Sequence, residues 1–375
     1  MRASAIIFSS LNKNTFSRLT ANRTVAAIPF ACRYRLIDFS ISNAVNSGIF
    51  DISIVANYNY RSLLTHIGSG KDYDLARRCG GINFVSPFQS IGDISEAKMF
   101  STRLEALKSM LGYIKSLAND LVILIEADTV MNIDLGKVID YHVDKKAEIT
   151  FVSGEIDEDT NLKSPRMLFR AKDGCIEDIA KGLYSGEIYN EISLGTLIIG
   201  RENLIRIIED ASAHNYGSLG SYLIKNLSPD RFYSYKFRDY FATVSDFYDY
   251  YKSSLRLIRD KSARMSLFGY HTRPIYTKIH NSPPKLYKFG ANVKNSLLAD
   301  EEFIEGEVID SIVFRGVKIE KGAVVRNSIL FHGTHIGKGA NISFTVTDKD
   351  VYISDNTVLC GAEAFPIYVE KGRRI

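Results

Sequence analysis

Three short stretches near the carboxyl end, "IEKGAV" from Ile319, "IGKGAN" from Ile336 and "ISDNTV" from Ile353, are near-copies of one another. Val313, Ile319, Val325 and Phe331 follow at intervals of six, as do Ile336 and Ile342, and again Ile353 and Leu359. A six-residue period with an aliphatic residue first and Gly, Asn or Asp in the turns specifies a parallel β-helix, because one aliphatic per short side stacks on its equivalent in the next coil. The strands of a β-sandwich would alternate at period two instead. The register slips by one after Phe331, which predicts a bulged corner near His332 to His335. Those two histidines read as solvated turn residues rather than as metal ligands. The β-helix is expected over 291–375, after a proline-marked linker at 271–290 that contains "RPIYTKIHNSPPKLY" (Arg273 to Tyr287).

Residues 1–270 have a different texture, in which short apolar runs alternate with helical patterns. Ala5 to Phe8, Ile52 to Val55, Leu121 to Ile125, Ile149 to Val152 and Leu197 to Ile199 read as buried strands. Ala97 to Ser116 and Leu135 to Lys145 read as amphipathic helices. This alternation predicts a Rossmann-like α/β domain with a mostly parallel sheet covered by helices. Between Arg231 and Phe237, aromatic side chains at period two predict a half-buried strand in the same layer or at its edge. The aromatic-rich "RFYSYKFRDYFATVSDFYDYY" reads as a core seam between the sheet and its neighbouring helix rather than as a platform for bases.

Lys+Arg 47 against Asp+Glu 43 leaves a net charge of +4, and no run of like charges points to a nucleic-acid tail or a polybasic membrane patch. The mild basicity suits anionic small molecules. Cys32, Cys79, Cys175 and Cys360 are far apart and form no paired motif, so neither a disulfide framework nor a zinc site is expected. With no span-length apolar stretch and no signal-peptide pattern, the expected location is the cytoplasm.

The stretch from Ala26 to Gly70 contains "YRLIDFSISNAVNSGI". It resembles the N-terminal region of bacterial glucose-1-phosphate adenylyltransferases (ADP-glucose pyrophosphorylases). The resemblance runs over essentially the whole chain, through "SLGTLII" (Ser193 to Ile199), where the family has its sugar-phosphate strand, and on into the β-helix, whose implied hand is left. It implies the chemistry of attack by glucose 1-phosphate on the α-phosphorus of ATP, in glycogen biosynthesis. That reaction needs backbone N–H groups around the triphosphate, a cation for the leaving group and carboxylates that hold Mg²⁺.

Set beside the family's motifs, the chain has lost most of these parts. The family's loop reads roughly G-G-x-G-x-R-L, whereas "SSLNKNTFSRL" keeps Arg18 and Leu19 but has none of the glycines that let backbone approach phosphate. The family's lysine falls on Val25. Its base-reading G-T-A-D becomes Thr102, Arg103, Leu104 and Glu105, with bulk where the base would lie. Its strand-end G-D-H becomes Ala127-Asp128-Thr129, and the partner aspartate falls on Thr243, with the nearby Asp246 expected to point elsewhere. The E-K-P of the sugar site becomes Ala180-Lys181-Gly182. Lys181 and Ser193 remain as candidate substrate contacts, and Asp128 as the one candidate metal carboxylate.

No catalytic residue is therefore expected, Val25, Asp128 and Thr243 being degenerate positions, and no cofactor is expected for this chain. The pattern resembles the family's non-catalytic, D-type subunits, which implies a catalytic subunit as partner in a mixed tetramer, with Mg²⁺ serving that partner. In catalytic relatives the basic segment before I-D-F lines a cleft for phosphorylated effectors. Arg33, Arg35 and Arg61 are accordingly candidates for an effector site or a subunit contact; the competing reading pairs Arg35 with Asp38 or another carboxylate. Two further readings stand against the regulatory one. An active nucleotidyltransferase would use Lys13 and Arg18 in an altered loop, and an acyltransferase would need more coils than this β-helix has.

Overall fold

The computed structural model of the protein describes residues 2–9, 18–86, 99–156, 165–183 and 188–375. The chain opens with β1 (Ala3–Phe8), then a small hairpin of β2 (Pro29–Phe30) and β3 (Tyr34–Arg35) that runs into α1 (Leu36–Asn46). Next come β4 (Asp51–Val55), α2 (Arg61–Ile67) and β5 (Gly81–Val85). They are followed by α3 (Arg103–Ser109), α4 (Leu111–Ser116), β6 (Leu121–Glu126), β7 (Thr129–Met131) and α5 (Leu135–Asp144). Then stand β8 (Ile149–Glu155), the hairpin β9 (Arg166–Lys172) and β10 (Cys175–Gly182), and β11 (Glu191–Gly200). After α6 (Arg201–Ala213) and α7 (Leu219–Lys225), β12 (Phe232–Lys236), β13 (Phe241–Thr243), α8 (Phe247–Arg259) and α9 (Lys261–Phe268) complete the α/β part.

Nine of these strands form one sheet in the order β5-β4-β1-β6-β11-β8-β12-β10-β9. β1 lies parallel to both β4 and β6, while β11 runs antiparallel to β6 and β8. Burial on both faces explains why β1 is a continuous apolar run. Its Ala5 and Ile7 join Ile52, Ile54, Ile123 and Ile125 in one core, and Ile6 and Phe8 join Val122 and Leu124 in the other. β12 is an interior strand between β8 and β10, with Phe232 and Ser234 buried and Tyr233 and Tyr235 half-buried. Of the helix expected over Ala97 to Ser116, residues 97 and 98 lie outside the described residues, and the described part begins only at Arg103 and is broken. Thr102 caps its start by accepting from the Glu105 N–H at 3.3 Å, and Met110 leaves helical geometry between α3 and α4.

From Leu286 onward the chain winds into a left-handed β-helix whose three sheets each contain five parallel strands. Ile304, Ile319, Ile336 and Ile353 stack in one interior column, and Val293, Val308, Val325, Ile342 and Leu359 in the second. The third column is Leu298, Val313, Leu330, Thr347 and Val369, so Leu330 and not Phe331 points inward. The cause is a tight corner before the third side. Asn295, Asp310, Asn327 and Phe344 stand there with φ of 41°, 46°, 46° and 49°, a left-handed conformation that asparagine and aspartate tolerate. In the coils from Val308 to Leu359 the step across that corner is one residue shorter than the other two, and Val308, Val325, Ile342 and Leu359 recur every 17 residues. A ladder of hydroxyls holds the corner, with Ser311 accepting from the Ser328 N–H at 3.1 Å and Ser328 from the Thr345 N–H at 3.2 Å. His332 and His335 are engaged rather than solvated, at 2.7 Å from the Arg315 carbonyl and 3.0 Å from Glu320 respectively.

Phe331 faces the α/β part, and this is where the two halves meet. Ile312, Phe314, Ile329, Phe331 and Val346 of the β-helix share one core with Leu19, Val25, Phe30, Tyr250 and Leu255. The aromatic-rich segment thus forms the seam between the domains rather than one within the first. Tyr250 meets Phe331 edge-on at 6.2 Å, and the Tyr251 hydroxyl donates to the Asn327 carbonyl at 2.6 Å. Each large apolar side chain fully buried contributes about 1.5–3 kcal/mol, so the five from the β-helix alone supply attraction on the order of a whole domain's stability. Inside the seam Arg23 donates to Asp348 at 2.5 Å, both buried, and Asp348 also accepts from the Tyr368 hydroxyl at 2.7 Å.

Asp348→Ala would leave Arg23 charged and unpaired beneath Phe331. We expect a loss of about 3–5 kcal/mol in urea denaturation. Arg23→Met combined with Asp348→Asn should lose much less, and equal losses in the two variants would show that the pair is not what orders the seam.

Candidate functional site

In an open α/β sheet, ligands sit outside the carboxyl ends of the strands. At the end of β6 stand two carboxylates, Glu126 and Asp128, and each is met by an arginine from another element. Arg166, the first residue of β9, donates to Asp128 Oδ2 at 2.6 Å, and the Thr129 hydroxyl donates to Oδ1 at 3.1 Å. Arg103, the first residue of α3, pairs with Glu126 at 3.0 Å. Gly195 permits this crowding: its φ is +74°, and a Cβ there would stand 2.8 Å from that of Glu126.

Thr243 ends β13 in register with Thr129 of β7, and its buried hydroxyl has no hydrogen-bond partner among the described residues. The Val244 N–H donates to the Asp128 carbonyl at 2.8 Å, which fixes this corner. Asp246 is turned to other work, capping α8 by accepting from the Asp249 N–H at 2.7 Å. Mg²⁺ needs oxygens free to enter an octahedral shell. With both oxygens of Asp128 engaged, Glu126 paired and Thr243 uncharged, the residues at this strand end do not fit a divalent cation.

The other positions singled out in the sequence have structural work. Val25 is buried in the seam core. Arg18 is exposed and Leu19 buried, while Lys13 and the rest of the glycine-free loop, residues 10–17, lie outside the described residues. In the segment read as bulk over the base site, Thr102 caps α3, Arg103 reaches Glu126, Leu104 is core and Glu105 accepts from the Ser101 N–H at 2.6 Å. Lys181 is exposed on β10, opposite Met167 of β9. Ser193 is buried at a bulge in β11, its hydroxyl oxygen 3.2 Å from the Gly195 N–H that donates to it.

Arg35 does not pair with Asp38 through its side chain. Its backbone N–H donates to Asp38 Oδ2 at 2.9 Å, while its guanidinium donates to the Ser62 carbonyl and hydroxyl at 2.8 and 3.0 Å. Asp38 is instead a buried hub, accepting from Tyr73 at 2.7 Å and Thr277 at 2.6 Å, so the segment after α9 is pinned to α1. Burial, with Arg23 nearby, lowers the Arg35 guanidinium to about 10. Lys349 on the β-helix is lowered to about 8, first by burial and then by Arg35 and Arg23. Cations from both domains therefore gather here, and one buried nitrogen of Arg23 has no hydrogen-bond partner among the described residues. Arg33 and Arg61 are exposed.

Sequence reasoning missed Arg166, Arg23, Asp348 and Lys349. Their partners lie far along the chain, and no short-range spacing marks them.

The architecture is that of a nucleotidyltransferase-type domain joined to a hexapeptide β-helix. Residues 15–162 match the family model described as nucleotidyl transferase, and residues 285–364 match the GlmU-like, C-terminal hexapeptide model. The glycogen biosynthesis protein GlgD of Bacillus subtilis is 32% identical over 370 residues, covering 98% of this chain and 95% of the relative. The glucose-1-phosphate adenylyltransferase of Thermosipho melanesiensis is 30% identical over 82% of this chain and 74% of its own length. That of Bacillus thuringiensis is 28% identical over 95% and 94%. The chain belongs to the glucose-1-phosphate adenylyltransferase family. Among the described residues no helix is long and apolar enough to cross a membrane.

The cation cluster has a consequence for stability. With Lys349 at about 8 in the folded protein and 10.5 as its ordinary value, the unfolded chain binds more protons between those pH values. Stability carried by this group therefore rises with pH across that window, by at most about 1.4 kcal/mol per pH unit. The difference in unfolding free energy between the native protein and Lys349→Met, measured from pH 7.5 to about 10.5, should show that slope. A flat difference would place Lys349 in water.

Proposed function

We propose that this chain is a regulatory, catalytically inactive subunit of glucose-1-phosphate adenylyltransferase in bacterial glycogen biosynthesis, acting in the cytoplasm through a hetero-oligomer with the catalytic subunit. The observation that carries this reading is the fate of the chemistry-bearing positions. Val25 is core where a lysine would face the leaving pyrophosphate, and Asp128 is bonded to Arg166 where it would face a metal. The kinship with a relative named GlgD fits the same reading. The chain itself needs no cofactor, and Mg²⁺ serves the catalytic partner.

A partner subunit raises activity when it binds the active conformation of its neighbour better than the inactive one. The first coil of the β-helix supplies a surface for such contact. Its strands are paired on one side only, Phe289 is fully exposed, and Leu286 and Tyr287 are half exposed. The cluster of Arg23, Arg35 and Lys349, with the exposed Arg33 close to Arg35 in sequence and the exposed Arg61 next to Ser62, which Arg35 contacts, is the proposed place of a phosphorylated effector or of the subunit contact beside it. Guanidinium forks suit phosphate oxygens because they bind two at once and keep their charge.

The test is pyrophosphate release from ATP and glucose 1-phosphate by the chain alone, by its organism's catalytic homologue alone, and by the two mixed. No turnover by the chain and a rise on mixing are expected. Turnover proportional to the chain alone and abolished by Asp128→Asn would overturn the proposal. In the mixed enzyme, Arg33→Ala with Arg35→Ala should weaken the response to a phosphorylated activator, and unchanged activation constants would remove the effector role.

A further inference from the structure

The cleft at the end of β6 deepens the regulatory reading and rests on it. Family membership implies a divalent metal ion there, yet the residues present do not fit one. We infer that the Arg166 guanidinium is the resident cation of this cleft, and that it, beyond the missing carboxylate at Thr243, keeps a divalent ion out.

Three observations carry this. Arg166 reaches Asp128 at 2.6 Å from a side chain only 8% exposed, whereas Asp128 is 28% exposed, so the arginine lies on the protein side of the carboxylate and is held there. The Thr129 hydroxyl takes the other oxygen, and the Val244 N–H fixes the Asp128 carbonyl, so Asp128 has little freedom to turn toward a different cation. Two positions earlier Glu126 is closed in the same manner by Arg103, from a helix rather than a strand. Both carboxylates at the strand end are thus neutralised from within, by groups that never lose their charge.

Arg166 is also a positioning residue. It begins β9, and β9 pairs along its length with β10, which carries Lys181. The Asp128–Arg166 bond therefore ties the β9–β10 hairpin to the end of β6, a link that catalysis through a bound metal would have to break.

The test uses Mn²⁺ alone as probe, with uptake followed by the fall in the electron paramagnetic resonance signal of the free ion. The native chain and Thr243→Asp, which keeps the Arg166–Asp128 pair, should take up no Mn²⁺ at millimolar concentration. Thr243→Asp combined with Arg166→Met should take up one equivalent, and adding Asp128→Asn should abolish it. Uptake by the native chain that Asp128→Asn removes would overturn the inference. So would equal uptake by Thr243→Asp with and without Arg166, or none by the folded double variant. If loss of Arg166 prevents folding, Thr243→Asp alone decides: uptake refutes exclusion by Arg166, and its absence with a native melting curve supports it. Metal uptake by the native chain without turnover would sink this inference and leave the regulatory proposal standing, so the two fail separately.

Discussion

A charge taken out of water must find a counter-charge, and the buried pair of Arg23 and Asp348 is where that rule joins the two halves of this molecule. Arg23 lies on the stretch leading from the first strand, and Asp348 on the last coils of the β-helix. Neither can be satisfied unless the domains sit as they do, since Asp348 also takes the Tyr368 hydroxyl and Arg23 lies over the Phe331 ring. The apolar side chains around them supply the attraction, which is strong but tolerant of small shifts. The ion pair is directional, and an alternative docking that left either charge alone would cost several kcal/mol, about 3–5. Orientation is thus set by charge and affinity by apolar area.

The same rule has reshaped the strand-end cleft. A metal-dependent site keeps carboxylates exposed and uncommitted, held apart so that an ion can relieve them. Here the relief is internal. Arg166 and Arg103 come from different elements, β9 and α3, and Gly195 gives the room that brings β11 against Glu126. Near the first loop, Val25 adds an apolar side chain to the seam.

Much of this fold could be read from the sequence because its signals are local. Apolar runs mark strands covered on both faces, and β1 and β6 are found where such runs stand. The aliphatic period marked the β-helix columns, yet Phe331 was placed inside when it faces the other domain. A left-handed Asn327 shortens one corner, and counting by six cannot see a conformational choice at a single residue. The helix expected from Ala97 was similarly cut back by the cap at Thr102. Val25, Asp128 and Thr243 stand out in the sequence as departures from the motifs it resembles. The partners of the site do not, because Arg166 meets Asp128 across 38 positions and Arg23 meets Asp348 across 325. The pairing expected between Arg35 and Asp38 forms through a different atom: the backbone N–H binds the carboxylate while the guanidinium turns to Ser62.

The proposal that this chain acts by contact rests on the closed strand-end cleft and on the exposed first coil of the β-helix. The most direct measurement is native mass spectrometry of this chain mixed with the catalytic homologue of its organism, at concentrations where each alone is well defined. A mixed species containing both chains in fixed proportion is the expected result. Two separate sets of masses, unchanged on mixing, would contradict action through a shared assembly.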